Sequence, residues 1–207
     1  MTRITFIGGG NMARSLIGGL LRTGHDAGAI AVAEPSAAAR ETLARSFGVT
    51  CFAENPDAIE GADVMVLAVK PQVMPLIHAG LRTSVQRVRP LLVSIAAGVR
   101  LDQLERWFGA LAIVRAMPNT PALIGAGATG LVANSRVTPA QRAEAERILA
   151  AAGITRWIED EAQMDTVTAL SGSGPAYFFA LVEALEAAAA AQGLPRETAR
   201  ALAAQTC

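Results

Sequence analysis

The sequence predicts an α/β fold, a parallel-sheet domain followed by an all-helical one. Three observations carry that prediction. Short β-branched runs alternate with amphipathic stretches from residue 4 to residue 158, a glycine cluster stands between the first run and the first helix, and beyond residue 160 only helical spacing remains.

Residues 4–7 (Ile-Thr-Phe-Ile) read as the first strand, and Met12, Leu16, Leu20 and Leu21 then share one helical face. Residues 30–33 form the second strand and 38–47 the second helix. The run 64–69 is continuously apolar, as in strands buried on both faces of a parallel sheet. Residues 91–95 and 112–115 repeat that pattern. A glycine-rich strand at 125–133, a helix at 139–152 and a last strand at 154–158 follow. Strands alternating with helices imply βαβ units and right-handed crossovers. Further on, 161–170 predicts a helix and Ser171-Gly172-Ser173-Gly174 predicts its break. Pro175 opens a long alanine-rich helix that runs to about Gln192, and a final helix from Pro195 or Arg196 is still running at Cys207. The period change places a domain boundary at 158–162, giving a sheet domain at 1–160 and a helical domain at 161–207.

Composition narrows the function. At 207 residues and 52% hydrophobic, the chain has ample material for a buried core. Eighteen basic residues balance 18 acidic ones, so no electrostatic footprint for nucleic acid or an anionic membrane exists. Two cysteines make no disulfide framework, no Cys/His cluster has metal-ligand spacing, and the chain suits a reducing, cytoplasmic compartment. The most apolar run, 181–192, carries Glu183 and Glu186 and is too short to span a bilayer. Lys70 is the single lysine.

The sharpest motif is Gly8-Gly9-Gly10-Asn11-Met12-Ala13, a G-x-G-x-x-A after a strand and opening a helix. Gly8 permits the tight turn, Gly10 lets the backbone approach a pyrophosphate, and Ala13 allows close helix–strand packing. In its βαβ context the pattern favours the phosphate loop of a Rossmann-type dinucleotide-binding domain over a plain structural turn after a strand. Glu34, at the end of the second strand, favours the ribose hydroxyls of NAD, whereas Ser36 and Arg40 suit a 2′-phosphate. The sequence leaves NADH and NADPH both open. Ala68, Val69, Lys70 and Pro71 end the central strand, where ligands bind in open sheets. Ala96, Ala97 and Gly98 follow the next strand, and their small side chains permit a flat ring to approach. Met117, Pro118 and Asn119 follow the strand after that, in a loop stiffened by Pro118 and Pro121. His25 and His78 lack partners at triad spacing, and Trp107 and Trp157 read as core or interface anchors.

Taken together, the blocks 6–13, 68–71, 94–99, 115–121 and 169–177 resemble pyrroline-5-carboxylate reductases in order and spacing, over essentially the whole chain. The resemblance implies reduction of the cyclic imine 1-pyrroline-5-carboxylate to L-proline by NADPH or NADH, the last step of proline biosynthesis. It implies a helical dimerisation domain that interlocks two subunits, with dimers or rings of dimers as the assembly. By position it places Gly8, Gly10, Asn11 and Met12 at the pyrophosphate and Asn55 near the adenosine. Residues 68–71 and 96–98 would line the cleft, with Met117, Pro118 and Asn119 near the nicotinamide. Ser171, Ser173 and Gly174 would lie on the substrate side. Two positions depart from the pattern. Many relatives carry a neutral residue or an arginine around Glu34. The family also continues through further helices to a Ser-Pro-Gly-Gly-Thr-Thr type loop for the substrate carboxylate, which these 207 residues do not contain. The helical domain is therefore expected to be incomplete at its C-terminus, and no catalytic proton donor is assigned. A related imine or β-hydroxyacid reductase and a non-catalytic nucleotide-binding relative remain as alternatives, although the absence of any lysine beyond Lys70 speaks against hydroxyacid chemistry.

Overall fold

The computed structural model describes all 207 residues. Eight strands form one sheet: β1 (Ile4–Ile7), β2 (Ile30–Ala33), β3 (Thr50–Phe52), β4 (Val64–Leu67), β5 (Leu91–Ser94), β6 (Ile113–Met117), β7 (Gly127–Ala133) and β8 (Gly153–Trp157). Nine α-helices accompany them: α1 (Asn11–Arg22), α2 (Ala37–Phe47), α3 (Asn55–Ile59), α4 (Met74–Val88), α5 (Leu101–Phe108), α6 (Pro139–Ala150), α7 (Met164–Val167), α8 (Gly174–Ala191) and α9 (Arg196–Thr206). The strand order is β3-β2-β1-β4-β5-β6-β7-β8. Strands β1 to β6 are all parallel, and the order reverses between β1 and β4, where doubly wound sheets open a ligand crevice.

The pleat divides the core into two layers. Phe6, Val32, Val66, Val93 and Val114 pack with α1, α2 and α6 on one face. Ile7, Ala33, Met65, Leu67, Leu92 and Ile113 pack with α3, α4 and α5 on the other. Burial on both faces is why these strands are apolar without alternation. No helix is long and apolar enough to cross a membrane.

Several sequence expectations are corrected. β7 runs antiparallel to β6, because only a short link with a 3₁₀ turn at Thr120–Ile124 joins them and no crossover helix fits there. α6 then carries the chain to β8, which pairs parallel to β7. β3 and α3, of three and five residues, had no readable period. The strand expected at 64–69 ends at Leu67, so Ala68 and Val69 turn out of the sheet. The block Ser171-Gly172-Ser173-Gly174 does interrupt the α-helix, but with a π turn and a bend at Ser173 rather than a clean stop, and the α-helix before it is only Met164–Val167. A π turn at Thr168–Gly172 links α7 to α8, closed by the Ser173 N–H donating to the Thr168 carbonyl at 2.7 Å. The wider π ring absorbs the extra residue that an α-helical reading takes for a stop.

Candidate cofactor and substrate site

The glycine loop is built by two strands. The Gly8 N–H donates to the Ala33 carbonyl at 2.8 Å, and the Ala68 N–H donates to the Ile7 carbonyl at 2.8 Å. Gly8 has φ +99°, and a Cβ there would lie 2.7 Å from the Ala68 oxygen. Only glycine takes this backbone at this approach. Gly10 is different, since a Cβ there would meet nothing within 4 Å. Gly10 caps α1 without a side-chain hydrogen bond, and the first turn carries no acidic residue. The leading N–H groups of α1 and its positive dipole end therefore face open space, which is a fit for a diphosphate.

Gly8, Gly10, Glu34, Asn55, Ala68, Val69 and Lys70 line one cleft of about 400 Å³ at the carboxyl ends of β1, β2 and β4. Lys70 is exposed on its wall. The Glu34 carboxylate is turned to the loop itself, where Oε2 accepts from the Gly9 N–H at 3.1 Å and Oε1 from the Ser36 N–H at 3.0 Å. Ser36 caps α2, with its Oγ accepting from the Ala39 N–H. Arg40 Nη1 donates to the Glu34 and Pro35 carbonyls, each at 2.8 Å, while its other donors make no bond within the chain. Three residues expected at the adenosine end thus already support the loop that would hold it. Ser36, Arg40, Asn11, Met12 and Pro71 stand outside the cleft wall. A second hollow of similar size, beside the amino ends of β1 to β3, contains none of the motif residues.

The next two loops lie along the same sheet edge. After β5, Ala96 is buried while Ala97 and Gly98 are exposed. Met117 ends β6, and Pro118 and Asn119 follow it, all three half-buried. The Asn119 amide is engaged at both ends, with Oδ1 accepting from the Ala128 N–H at 2.8 Å and Nδ2 donating to the Ser171 carbonyl at 3.1 Å. A side chain at Gly172 would press on Met117 Cε. The π turn is therefore seated on the loop after β6. Between them lies a hollow of about 340 Å³ whose wall includes Asn119, Ser171, Gly174, Pro175, Phe178 and Phe179 and no titratable group. Ser171 Oγ donates to the Val167 carbonyl, and Ser173 stands outside the wall.

Sequence reasoning missed one ion pair. Arg115, on β6, is buried, and its Nη1 donates to Glu161 Oε1 at 2.7 Å. The same oxygen accepts the Leu101 N–H at 2.8 Å, at the start of α5. A lone arginine in an apolar strand was the available signal, since a buried charge requires a partner. His78 stacks on Trp107 at 5.2 Å, and Trp157 Nε1 donates to Glu146 beneath Arg142, which are packing roles.

Comparison with known proteins agrees with this layout. Residues 3–98 match the family model "NADP oxidoreductase coenzyme F420-dependent", and residues 161–207 match "Pyrroline-5-carboxylate reductase dimerisation". A pyrroline-5-carboxylate reductase of Pseudomonas aeruginosa is 49% identical over 205 residues, covering 99% of this chain and 75% of that protein. A solved pyrroline-5-carboxylate reductase from Coxiella burnetii superposes with TM-score 0.93 at 43% identity, covering 99% of this chain and 76% of that one. A Plasmodium falciparum pyrroline carboxylate reductase solved with NADP bound gives TM-score 0.86 at 29% identity, covering 99% and 75%. With a phosphate-ready glycine loop, a second hollow on the same sheet edge and near-complete alignment to these relatives, the chain belongs to the pyrroline-5-carboxylate reductase family.

Proposed function

We propose that this chain reduces 1-pyrroline-5-carboxylate to L-proline with NAD(P)H. The observation that carries the reading is the seating of the Ser171 turn on the loop after β6, on the same edge as the glycine loop. The bound nicotinamide supplies a hydride to the imine carbon. The glycine loop and the α1 N-terminus hold the diphosphate, and Lys70 adds a positive charge at the lip. Ala68, Val69 and the residues at 96–98 form the small-residue wall. Met117, Pro118 and Asn119 face the nicotinamide side, and Ser171, Ser173 and Gly174 the substrate side. A protonated imine is already electrophilic, so the site's task is to align donor and acceptor and exclude water. A hollow without titratable side chains suits that task.

The proposal divides the chain into a cofactor domain at 1–160 and a helical domain at 161–207. It makes the enzyme cytoplasmic and a homo-oligomer, with α8 and α9 at the subunit contact. The test follows the loss of NAD(P)H absorbance when purified protein meets pyrroline-5-carboxylate, with proline identified as product. Cofactor binding without any imine-dependent oxidation would refute the reading.

A further inference from the structure

Arg115 is the only fully buried arginine in the chain, with its side chain 6% exposed. An arginine is always charged, so this position depends on whatever answers it. What answers it is one oxygen, Glu161 Oε1, which also accepts the first N–H of α5. Three pieces of chain therefore meet at one atom. β6 runs two residues past Arg115 to Met117. α5 begins just after the Ala96–Gly98 loop. Glu161 opens the segment that carries the π turn and Ser171. Each piece leads directly to one wall of the proposed site.

We propose that Glu161 is a positioning residue, whose carboxylate sets where the substrate-side segment sits against the two cofactor-side loops. It touches neither ligand. Arg115 fixes its place on the sheet, and the Leu101 N–H fixes its distance from α5. Farther along, the same two segments meet again at Met117 with Gly172 and at Asn119 with Ser171. Those contacts hold the ends of the joint, while Glu161 holds its root. Hydride transfer depends steeply on donor–acceptor placement, so a shift here acts on the chemical step rather than on cofactor affinity. This inference rests on the proposed imine reduction.

The test uses the whole chain with NADPH and pyrroline-5-carboxylate, beginning with the wild type. Glu161→Asp keeps the charge but shortens the arm, so one carboxylate oxygen no longer reaches both donors. Leu101→Pro removes the second donor, at a helix start where proline's missing N–H is tolerated, and Leu101→Val, which keeps that N–H but also trims the side chain packed on the core layer, serves as its control. Folded Glu161→Asp should bind NADPH within about twofold of wild type and lose about tenfold in kcat. Its primary isotope effect with C4-deuterated cofactor should rise, and Leu101→Pro should shift kcat and the isotope effect the same way by a smaller factor. A folded Glu161→Asp with unchanged kcat and isotope effect, and only a lower melting temperature, overturns the inference. If that variant does not fold, Leu101→Pro decides, and an unchanged kcat there overturns it. A wild type that binds NADPH yet is inert to the imine overturns the functional reading, and this inference with it.

Discussion

A Cβ at Gly10 would touch no atom of the protein, so Gly10→Val should still fold, losing about 1 kcal/mol at most for valine in place of glycine at the α1 N-cap. The added methyls would fill the space before the α1 N-terminus, where a diphosphate needs the bare backbone. NADPH affinity, followed by titration, should fall about 100-fold or more. Wild-type affinity in that variant would remove the loop from the site. His25 carries a different kind of prediction. It follows α1, is buried, and its Nε2 has no partner. Burial first, and then Arg147, hold its pKa below the usual histidine range, against Glu144, the Thr2 carbonyl and Asp26. The folded state thus favours the neutral ring. The stability this contributes is full above about pH 6.5 and is lost as pH falls through the lower folded value. Glu144, held low by its bond from Arg147, acts in the same direction at more acid pH. His25→Gln should therefore flatten the fall of melting temperature just below pH 6.5, and a wild-type slope in that variant would count against the assignment.

Helices and strands were legible where they were long and two-sided. The runs at 4–7 and 30–33 match β1 and β2 because Ile4, Phe6, Ile30 and Val32 pack into one layer and Ile7 and Ala33 into the other. β3 escaped because three residues at a sheet edge set no period, and the direction of β7 escaped because it is decided by link length. The π turn was read as a stop since glycine and serine weaken a helix in sequence, while Asn119 and Val167 hold the segment as a π turn by contacts far along or within the chain. Gly19 shows the same limit. Nothing in the sequence marks it, yet a Cβ there would overlap the Ala151 carbonyl at the end of α6. Gly19→Val should cost about 3 kcal/mol in chemical denaturation, since backbone cannot yield as a side chain can. A loss below about 0.5 kcal/mol would mean that α1 and α6 separate freely.

For the molecule as a whole, the gathering of Gly8, Gly10, Ala68, Val69 and Lys70 at one cleft, the one proposed for the cofactor, was readable because these residues are neighbours in short motifs. The Arg115–Glu161 pair was not, because its members stand 46 residues apart and only the fold joins them. The helical end is readable in another way. Tyr177, Phe178 and Phe179 on α8 are each 60% or more exposed, an apolar surface that a lone soluble chain seldom shows. In the proposed assembly a second copy covers it. Phe179→Asp should then halve the mass measured by light scattering, and a wild-type monomer would exclude that contact. Lys70 has a practical meaning at this scale. Among 18 basic side chains it is the only primary amine, and it stands exposed on the cleft wall. An acylating reagent selective for amines thus has two addresses in the chain, the N-terminus and the lip of the nucleotide cleft. Bound NADPH should shield the second and leave the first open, so peptide mass mapping of one reaction carries its own internal reference for occupancy.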